Sequence, residues 1–251
     1  MTFIPLHRLC VDIDWGKTMG IYRRAFHRIG YELDQMREYV LTVSGALRTV
    51  HERHVKEIRE RAKWMDPDEA QELYNDSAED DISLGDLFPA LSASSTLVAI
   101  MSFLEHQLVY ICREVESART GKPSSFKPKN PVLKNCVDHL GKYGITVSMA
   151  NPECAAVTNL QETRNAIVHQ LGELDYDEVT QKKDRGFKVY SFLNGRSDAK
   201  VIEQHLEGPL KIVLTHPFCL EAIEGVRNFL NQIVALVPKG LYSTLNDERD
   251  R

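Results

Sequence analysis

A run of apolar residues near the N-terminus constrains the fold more than any other feature of the chain. From residue 22 to residue 50, apolar positions lie alternately four and three residues apart, which is the spacing of a seam along one side of an α-helix. The seam consists of Tyr22, Phe26, Ile29, Leu33, Met36, Val40, Val43, Leu47 and Val50. It predicts one long helix, or two stacked end to end, over about residues 21–65. Such a helix packs within its own bundle or pairs with another chain, and the seam alone does not distinguish the two.

An acidic segment follows the seam. Residues 66–90 contain nine acidic side chains and no basic one. This composition predicts a solvated connector that is partly helical around Glu69 to Tyr74. An acidic lid or a mimic of nucleic acid is the less favoured interpretation.

The remainder of the chain reads as a helical domain with a small β insertion. Helices are expected at about residues 92–117, 131–143, 152–171 and 217–236, with Thr215 as a cap for the last one. The segments "GFKVYSFLN" and "PLKIVLT" are rich in β-branched and aromatic residues and predict an antiparallel hairpin at about residues 186–214. The expected organisation is therefore an N-terminal segment (1–65), an acidic connector (66–90), a helical domain (91–238) and a tail (239–251).

Composition excludes several classes of protein. The net charge of −5 argues against a protein that coats nucleic acid non-specifically, although a local basic groove remains compatible with it. The most apolar run, "LVAIMSFL", is much shorter than the roughly 20 residues that span a bilayer. The N-terminal segment lacks a basic start followed by an apolar run, so no signal peptide is expected. The five cysteines are widely spread with no Cys-x-x-Cys pair, which is typical of reduced thiols in a cytosol and gives no zinc signature.

The segment "TRNAIVH" places three polar residues among apolar ones in the helix expected at 152–171. Asn165 and His169 are four residues apart and share a face. Arg164 and His169 are five apart, which separates them by about 140° around the axis and about 7.5 Å along it. One helix therefore aims both side chains poorly at a single target. Two copies of the helix related by a two-fold axis can bring the arginine of each to the histidine of the other.

These residue types suit RNA cleavage. A histidine side chain ordinarily titrates near pH 6.5 and can move a proton at cellular pH. An arginine can hold a phosphate through paired hydrogen bonds and stabilise the charge that develops in the transition state. RNA supplies its own nucleophile, the 2′-hydroxyl, so neither a metal ion nor another cofactor is required.

The segment "RNAIVH" resembles the Arg-Asn-x-x-x-His motif of the HEPN superfamily, the higher eukaryotes and prokaryotes nucleotide-binding proteins. The helix "FLEHQLVYICREV" is similar to the helix that precedes this motif in HEPN domains of abortive-infection proteins. The resemblance covers roughly residues 91–236. It implies a dimeric helical bundle and a metal-independent endoribonuclease in a toxin or antiphage system, with an antitoxin or defence protein as a further partner. Arg164 and His169 would be catalytic, Asn165 would orient the site, and Glu105 would assist.

A basic segment precedes the motif helix. Between Arg119 and Lys142 there are six basic residues and one acidic residue, Asp138. This stretch is either a solvated loop or part of an RNA-binding surface. The residues expected to contact RNA are Lys122, Lys127, Lys129 and Lys134.

Two alternatives stand beside the catalytic hypothesis. In the first, the motif is structural: Arg164 pairs with a neighbouring carboxylate, and His169 caps the helix end before Gly172. In the second, the same dimeric bundle is catalytically silent and acts as a scaffold or sensor. A metal site at His51 and His54 is disfavoured, because "HERHVKE" reads as the solvated face of a charged helix.

Overall fold

The computed structural model describes residues 21–148, 150–174, 185–203 and 210–237. The protein is mainly helical with one small antiparallel sheet. The helices are α1 (Ile21–Ala62), α2 (Pro67–Ile82), α3 (Phe88–Thr120), α4 (Val132–Gly141), α5 (Pro152–Gln170), α6 (Arg185–Leu193) and α7 (His216–Leu236). The strands are β1 (Glu173–Leu174), β2 (Ala199–Glu203) and β3 (Leu210–Leu214), and a π-helical turn, Ser83–Leu87, joins α2 to α3.

Helix α3 is the centre of the bundle. It contacts α1, α4, α5 and α7, and its buried side chains form much of the core. Those side chains are Ala93, Thr96, Leu97, Ile100, Met101, Phe103, Leu104, Gln107, Leu108, Ile111, Cys112 and Val115. This helix therefore presents a broad buried face to the neighbours that pack on it.

The same helix decides how the apolar run of the sequence is interpreted. Among the described residues one continuous helical stretch, Pro67–Thr120, is long and apolar enough to cross a membrane by length and composition. A core helix of a soluble protein passes the same test, and within this stretch Leu97, Ile100, Met101 and Leu104 of α3 are fully buried. The arrangement is compatible with a soluble protein.

The N-terminal seam packs within its own chain. Ile29, Leu33 and Val40 are buried, and Met36 packs against the core. Arg227 of α7 pairs with Asp34 at 2.7 Å, which adds a polar contact beside the seam. Along the described part of α1, the bundle interpretation therefore accounts for this half of the seam.

The second half of α1 pairs with α2, and the acidic segment is helical well beyond Glu69–Tyr74. Asp66 caps α2 by accepting hydrogen bonds from the backbone N–H groups of Asp68 and Glu69, both at 3.0 Å. His51 Nε2 lies 2.7 Å from Asp81 Oδ1. The π-helical turn brings Gly85 under the His51 ring, where an added Cβ would lie 2.9 Å from Cε1. Helix α2 has no buried residue, so α1 and α2 form a hairpin that is largely solvated.

An antiparallel strand pair lies within residues 186–214, as predicted, but its first strand is β2 and not the segment that was expected. "PLKIVLT" contains β3, as expected, but "GFKVYSFL" is helix α6. Val189 and Leu193 are four residues apart, and both are buried, so α6 turns one face into the core and tertiary packing overrides the β propensity. Gly195, with φ of 82°, follows the end of α6 instead of joining two strands.

The sheet has the order β1–β3–β2, with both pairs antiparallel. Leu174 of β1 pairs with Leu210, and Val201 of β2 pairs with Ile212. Thr215 occupies the N-cap position of α7, but its hydroxyl donates to the Asp198 carbonyl at 2.6 Å instead of capping the helix. The sheet is thereby joined to the start of α7.

Candidate functional site

Helix α5 carries the motif and is fixed by its surroundings. Asn151 caps its start, and the N–H of Glu153 donates to the Asn151 side chain at 3.3 Å. Its buried residues are Cys154, Val157, Leu160, Gln161, Thr163 and Ala166, and the helix packs on α3, α6 and α7. Arg164 and Asn165 lie at the margin of this buried face, where both are partly exposed.

Arg164 is held by a carboxylate from α3. Its Nη2 donates to Glu105 Oε1 at 2.6 Å, although the two residues are 59 positions apart in the chain. The side chains are 16% and 23% exposed, so water screens this pair only in part. Arg164 Nη1 also donates to Asn165 Oδ1 at 3.1 Å, and Gln161 Nε2 reaches Glu105 at 3.5 Å. The structure thus brings Arg164, Asn165 and Glu105 into one polar cluster and adds Gln161.

This cluster leaves part of the guanidinium unused. An arginine carries five N–H donors, and the two contacts with Glu105 and Asn165 use only some of them. Arg164 Nε is buried and has no hydrogen-bond partner among the described residues. The guanidinium is therefore oriented by its partners. Because Nε is buried and the side chain is 16% exposed, another acceptor must reach the remaining N–H groups on Nη1 and Nη2.

His169 lies in the last turn of α5 and is exposed. Across the described ranges its side chain has no hydrogen-bond or ion-pair partner. The helix end is closed by the backbone, because the N–H of Gly172 donates to the Ala166 carbonyl at 3.1 Å. Of the structural alternative, the pairing of Arg164 with a carboxylate is present, whereas the capping of the helix by His169 is not.

Two apolar residues near His169 in the sequence are exposed. Val168 is 45% exposed and Leu171 is 82% exposed. Leu171 occupies the left-handed region at φ 55°, which L-residues other than glycine and asparagine seldom adopt. Within one described chain, no contact joins Arg164 to His169.

The basic segment lies on the surface beside α3. Lys122, Lys127, Lys129 and Lys134 are all exposed. The loop that carries the first three turns back along α3, since Arg113 Nε donates to the Phe126 carbonyl at 3.3 Å. The exposure of these lysines is compatible with a solvated loop and with an RNA-binding surface.

Glu116 fixes this loop and was missed from the sequence. It accepts hydrogen bonds from the hydroxyls of Ser124 and Ser125 and from the backbone N–H of Phe126, the last at 3.1 Å. The Ser124 hydrogen bond is the largest cause that lowers the pKa of Glu116. The sequence does not identify this role, because the acceptors for the donor groups of "SSF" cannot be assigned without the path of the loop.

Of the other polar candidates, His51 is engaged with Asp81, as described above. Within residues 21–148, 150–174, 185–203 and 210–237, no group of three or more His, Cys, Asp or Glu side chains is arranged to hold a metal ion. Gln161 is a site residue that sequence reasoning missed, although its position three residues before Arg164 places it on the same side of α5.

No family model, no curated protein and no solved structure matches this chain. The likeness to HEPN proteins therefore stays a resemblance in the residues of the motif and of the helix before it.

Proposed function

We propose that this protein is a metal-independent endoribonuclease of the HEPN type. It would cut RNA by attack of the 2′-hydroxyl on the adjacent phosphate, which yields a 2′,3′-cyclic phosphate and a free 5′-hydroxyl. The observation that carries the proposal lies on α5. Arg164 is oriented by Glu105 and Asn165, while His169, on the same helix, is exposed and has no partner in the described part of the chain.

The arginine cluster has the properties needed to bind a phosphate. A charged guanidinium that is positioned in advance stabilises developing negative charge without reorganising during the reaction. Glu105 and Asn165 would orient the guanidinium, and its remaining N–H donors would contact the phosphate oxygens. The proximity of Glu105 also reduces the net positive charge, so additional cations must supply part of the attraction for RNA. The exposed lysines of the loop and of α4 are suited to this.

His169 would move the proton. Its exposure lets a substrate approach it, and a histidine can accept the 2′-hydroxyl proton or protonate the leaving 5′-oxygen. Within one chain His169 and Arg164 do not meet. A second copy would place its His169 beside the Arg164 cluster of the first, and the exposed Val168 and Leu171 would supply apolar contact between the two α5 ends. The active form would be a homodimer.

The cellular role follows from the proposed chemistry. An unregulated RNA-cutting enzyme in the cytoplasm harms its host, so a toxin or antiphage effector controlled by an antitoxin or another defence protein is the setting we infer. Expression in a bacterial host would arrest growth, and His169→Ala would relieve the arrest.

A second function is favoured by one specific observation. Because Arg164 is already paired with Glu105 at 2.6 Å, the guanidinium can be a structural element of the bundle. The protein would then be a silent dimeric scaffold or sensor. The solvated α1–α2 hairpin, with Trp64 88% exposed, would offer a surface for a partner.

The decisive experiment is RNA cleavage by purified protein in the presence of EDTA. The expected result is cleavage that EDTA does not reduce, with products ending in 2′,3′-cyclic phosphate and with loss of activity in His169→Ala. A silent module would cleave nothing, with or without added magnesium. Cleavage that EDTA abolishes and magnesium restores, on an RNA whose fold is unaffected, would contradict the metal-independent mechanism.

A further inference from the structure

Two buried cysteines lie side by side where α4 packs on α3. Cys112 of α3 and Cys136 of α4 are both fully buried. Cys112 Sγ lies 3.5 Å from the Cys136 carbonyl oxygen, to which it can donate. The proposed RNA chemistry uses neither thiol.

The packing of α4 on α3 keeps the two thiols together. Further along the helices, His139 Nε2 lies 3.7 Å from Glu116 Oε2, and Arg119 Nη2 donates to the Tyr143 carbonyl at 3.5 Å. These contacts advance along both helices in the same order, so α4 runs parallel to α3. A disulfide requires that the two backbones approach closely and that the two Cβ atoms point at each other. The contact between Cys112 and Cys136 on packed helices meets the requirement of proximity.

The two thiols are electronically unequal. The hydrogen bond from Cys112 lowers the pKa of Cys136, against the opposing effects of burial and of the Glu105 charge. The same hydrogen bond, together with burial, raises the pKa of Cys112. Burial raises the pKa of Cys154, and it raises that of Cys219 to about 12. Of these four cysteines, Cys136 is the one whose thiolate is favoured, and the thiolate is the reactive form.

We propose that Cys112 and Cys136 form a redox-active dithiol that closes to a disulfide when the protein meets hydrogen peroxide. The Cys136 thiolate attacks one peroxide oxygen, the O–O bond breaks, and a sulfenic acid forms with release of hydroxide, which takes up a proton to become water. The Cys112 sulfur then attacks the sulfenic sulfur, its proton leaves with the hydroxyl as a second water, and the S–S bond forms. Two electrons pass from the sulfurs to the peroxide, and a dithiol reductant reverses the change.

Oxidation follows local opening of the structure, because both thiols are closed to solvent. Helix α4 is short and follows the exposed loop, so small local movements at its start can admit peroxide while the two thiols stay together. Once formed, the disulfide ties α4 to α3 and closes a loop over residues 112–136. That loop contains five of the six basic residues of the basic segment, all but Lys142. The redox state is thereby linked physically to the basic segment, whether or not the protein cuts RNA.

Peptide mapping of the full-length protein tests the proposal directly. Each of the five cysteines lies on a different tryptic peptide, so every pairing gives a distinct linked mass. Reduced protein is treated with hydrogen peroxide, its free thiols are alkylated under denaturing conditions, and the digest is analysed by mass spectrometry. The expected product links the Cys112 peptide to the Cys136 peptide within one chain. A link to any other cysteine as the main product, or two thiols that stay fully alkylatable, would overturn the proposal.

Two single variants test the order of the steps. In Cys112→Ser, Cys136 has no resolving thiol, so dimedone should label its sulfenic acid at least several-fold more than it labels Cys112 in Cys136→Ser. Equal labelling, or the reverse order, would refute Cys136 as the attacking thiol. Cys219→Ser is the matched control, because Cys219 is equally buried and donates to the Ala93 carbonyl at 3.2 Å, and the serine hydroxyl can keep that bond. It should form the Cys112–Cys136 link as the parent does.

A thermal readout makes the result independent of any variant's folding. In the parent protein the disulfide should raise the melting temperature by several degrees, because it restricts the unfolded chain. The rise should disappear on reduction. A melting temperature that is unchanged or lower in verified oxidised protein would show that the bond is strained and that the geometry does not favour it.

Discussion

Two positions on helix α5, Arg164 and His169, differ in how much of their chemistry the chain supplies by itself. At Arg164 the side chain is mostly buried and meets a carboxylate, an amide and a packed neighbour helix. At His169, just over one turn further on, the side chain is exposed among exposed apolar residues and meets nothing within the described chain. A helix that needs only a polar margin for stability has no requirement for the second arrangement. A site to which one chain contributes Arg164 and a second copy contributes His169 would show this contrast.

Energetics sharpen the same contrast. A partly buried ion pair loses stability when one partner is removed, because the remaining charge keeps its desolvation cost. An exposed side chain without partners contributes almost nothing to stability, and its replacement usually changes the free energy of unfolding by less than about 0.5 kcal/mol. Substitutions at Arg164 should therefore lower stability, whereas substitutions at His169 should leave it almost unchanged.

The largest expected effect is on the rate in His169→Ala. If His169 moves a proton, the RNA cleavage rate should fall by roughly a hundredfold or more, while the urea unfolding midpoint stays unchanged. His106→Ala is the matched control, since His106 is an exposed histidine on α3 outside the motif. A His169→Ala protein with full activity, or one that is clearly destabilised, would remove the distinction between Arg164 and His169.

Arg164→Lys should lower the rate by about tenfold to a hundredfold. The substitution keeps the positive charge but loses the planar guanidinium, which contacts Glu105 and would bind a phosphate at the same time. Stability should fall by about 1 kcal/mol or less, since Glu105 keeps a cationic partner and water screens the pair in part. Cleavage assays and urea unfolding on the same preparation measure both quantities. Unchanged activity combined with a loss of stability would favour the scaffold interpretation.

Mixed dimers test whether the Arg164 and the His169 of one site come from different chains. One chain carries Arg164→Ala and the other carries His169→Ala, so a shared site leaves one intact cross-chain pair. The expected result is up to about half of the parent activity in the purified heterodimer, about a quarter in a random mixture, and almost none in either variant alone, which would resemble other non-additive catalytic pairs. No recovery in a heterodimer verified by differential tagging would exclude cross-chain pairing while leaving RNA cleavage possible.

The sequence predicted most of the helices because their information is local. The apolar spacing of α3, α5 and α7 marks their limits closely. Helix α6 was predicted wrongly, since "GFKVYSFL" has the residue types of a strand and becomes helical only because Val189 and Leu193 both reach the core. Strand β2 was not singled out, because its pairing with β3 depends on a partner further along the chain.

The candidate site divides in the same way. Spacing identified Arg164, Asn165 and His169 because they lie on one helix, but the contact with Glu105 spans 59 residues and depends on how α3 and α5 pack. Glu105 was named from its place in the preceding helix, not from any derived contact. The roles of Gln161 and Glu116 likewise depend on tertiary neighbours. Residue types and local spacing were thus readable, whereas distances between elements were not.

The smallest expected effect is on stability in Leu171→Gly. Leu171 has φ of 55° and ψ of 26°, a conformation that costs an L-residue roughly 1 kcal/mol and costs glycine almost nothing. Glycine also gains entropy in the unfolded chain, so the net gain for the isolated protein should be under about 1 kcal/mol. Urea unfolding at high dilution, where dimers dissociate, measures that gain.

At higher concentration the gain should shrink or reverse, because the variant lacks an apolar side chain that the second copy would cover. Leu171→Ala keeps the strained backbone but loses the same contact, so it should be less stable than the parent at high concentration without the gain at dilution. If Leu171→Gly were equally stabilising at every concentration, Leu171 would lie outside any interface, and the contact proposed between the two α5 ends would have to be abandoned.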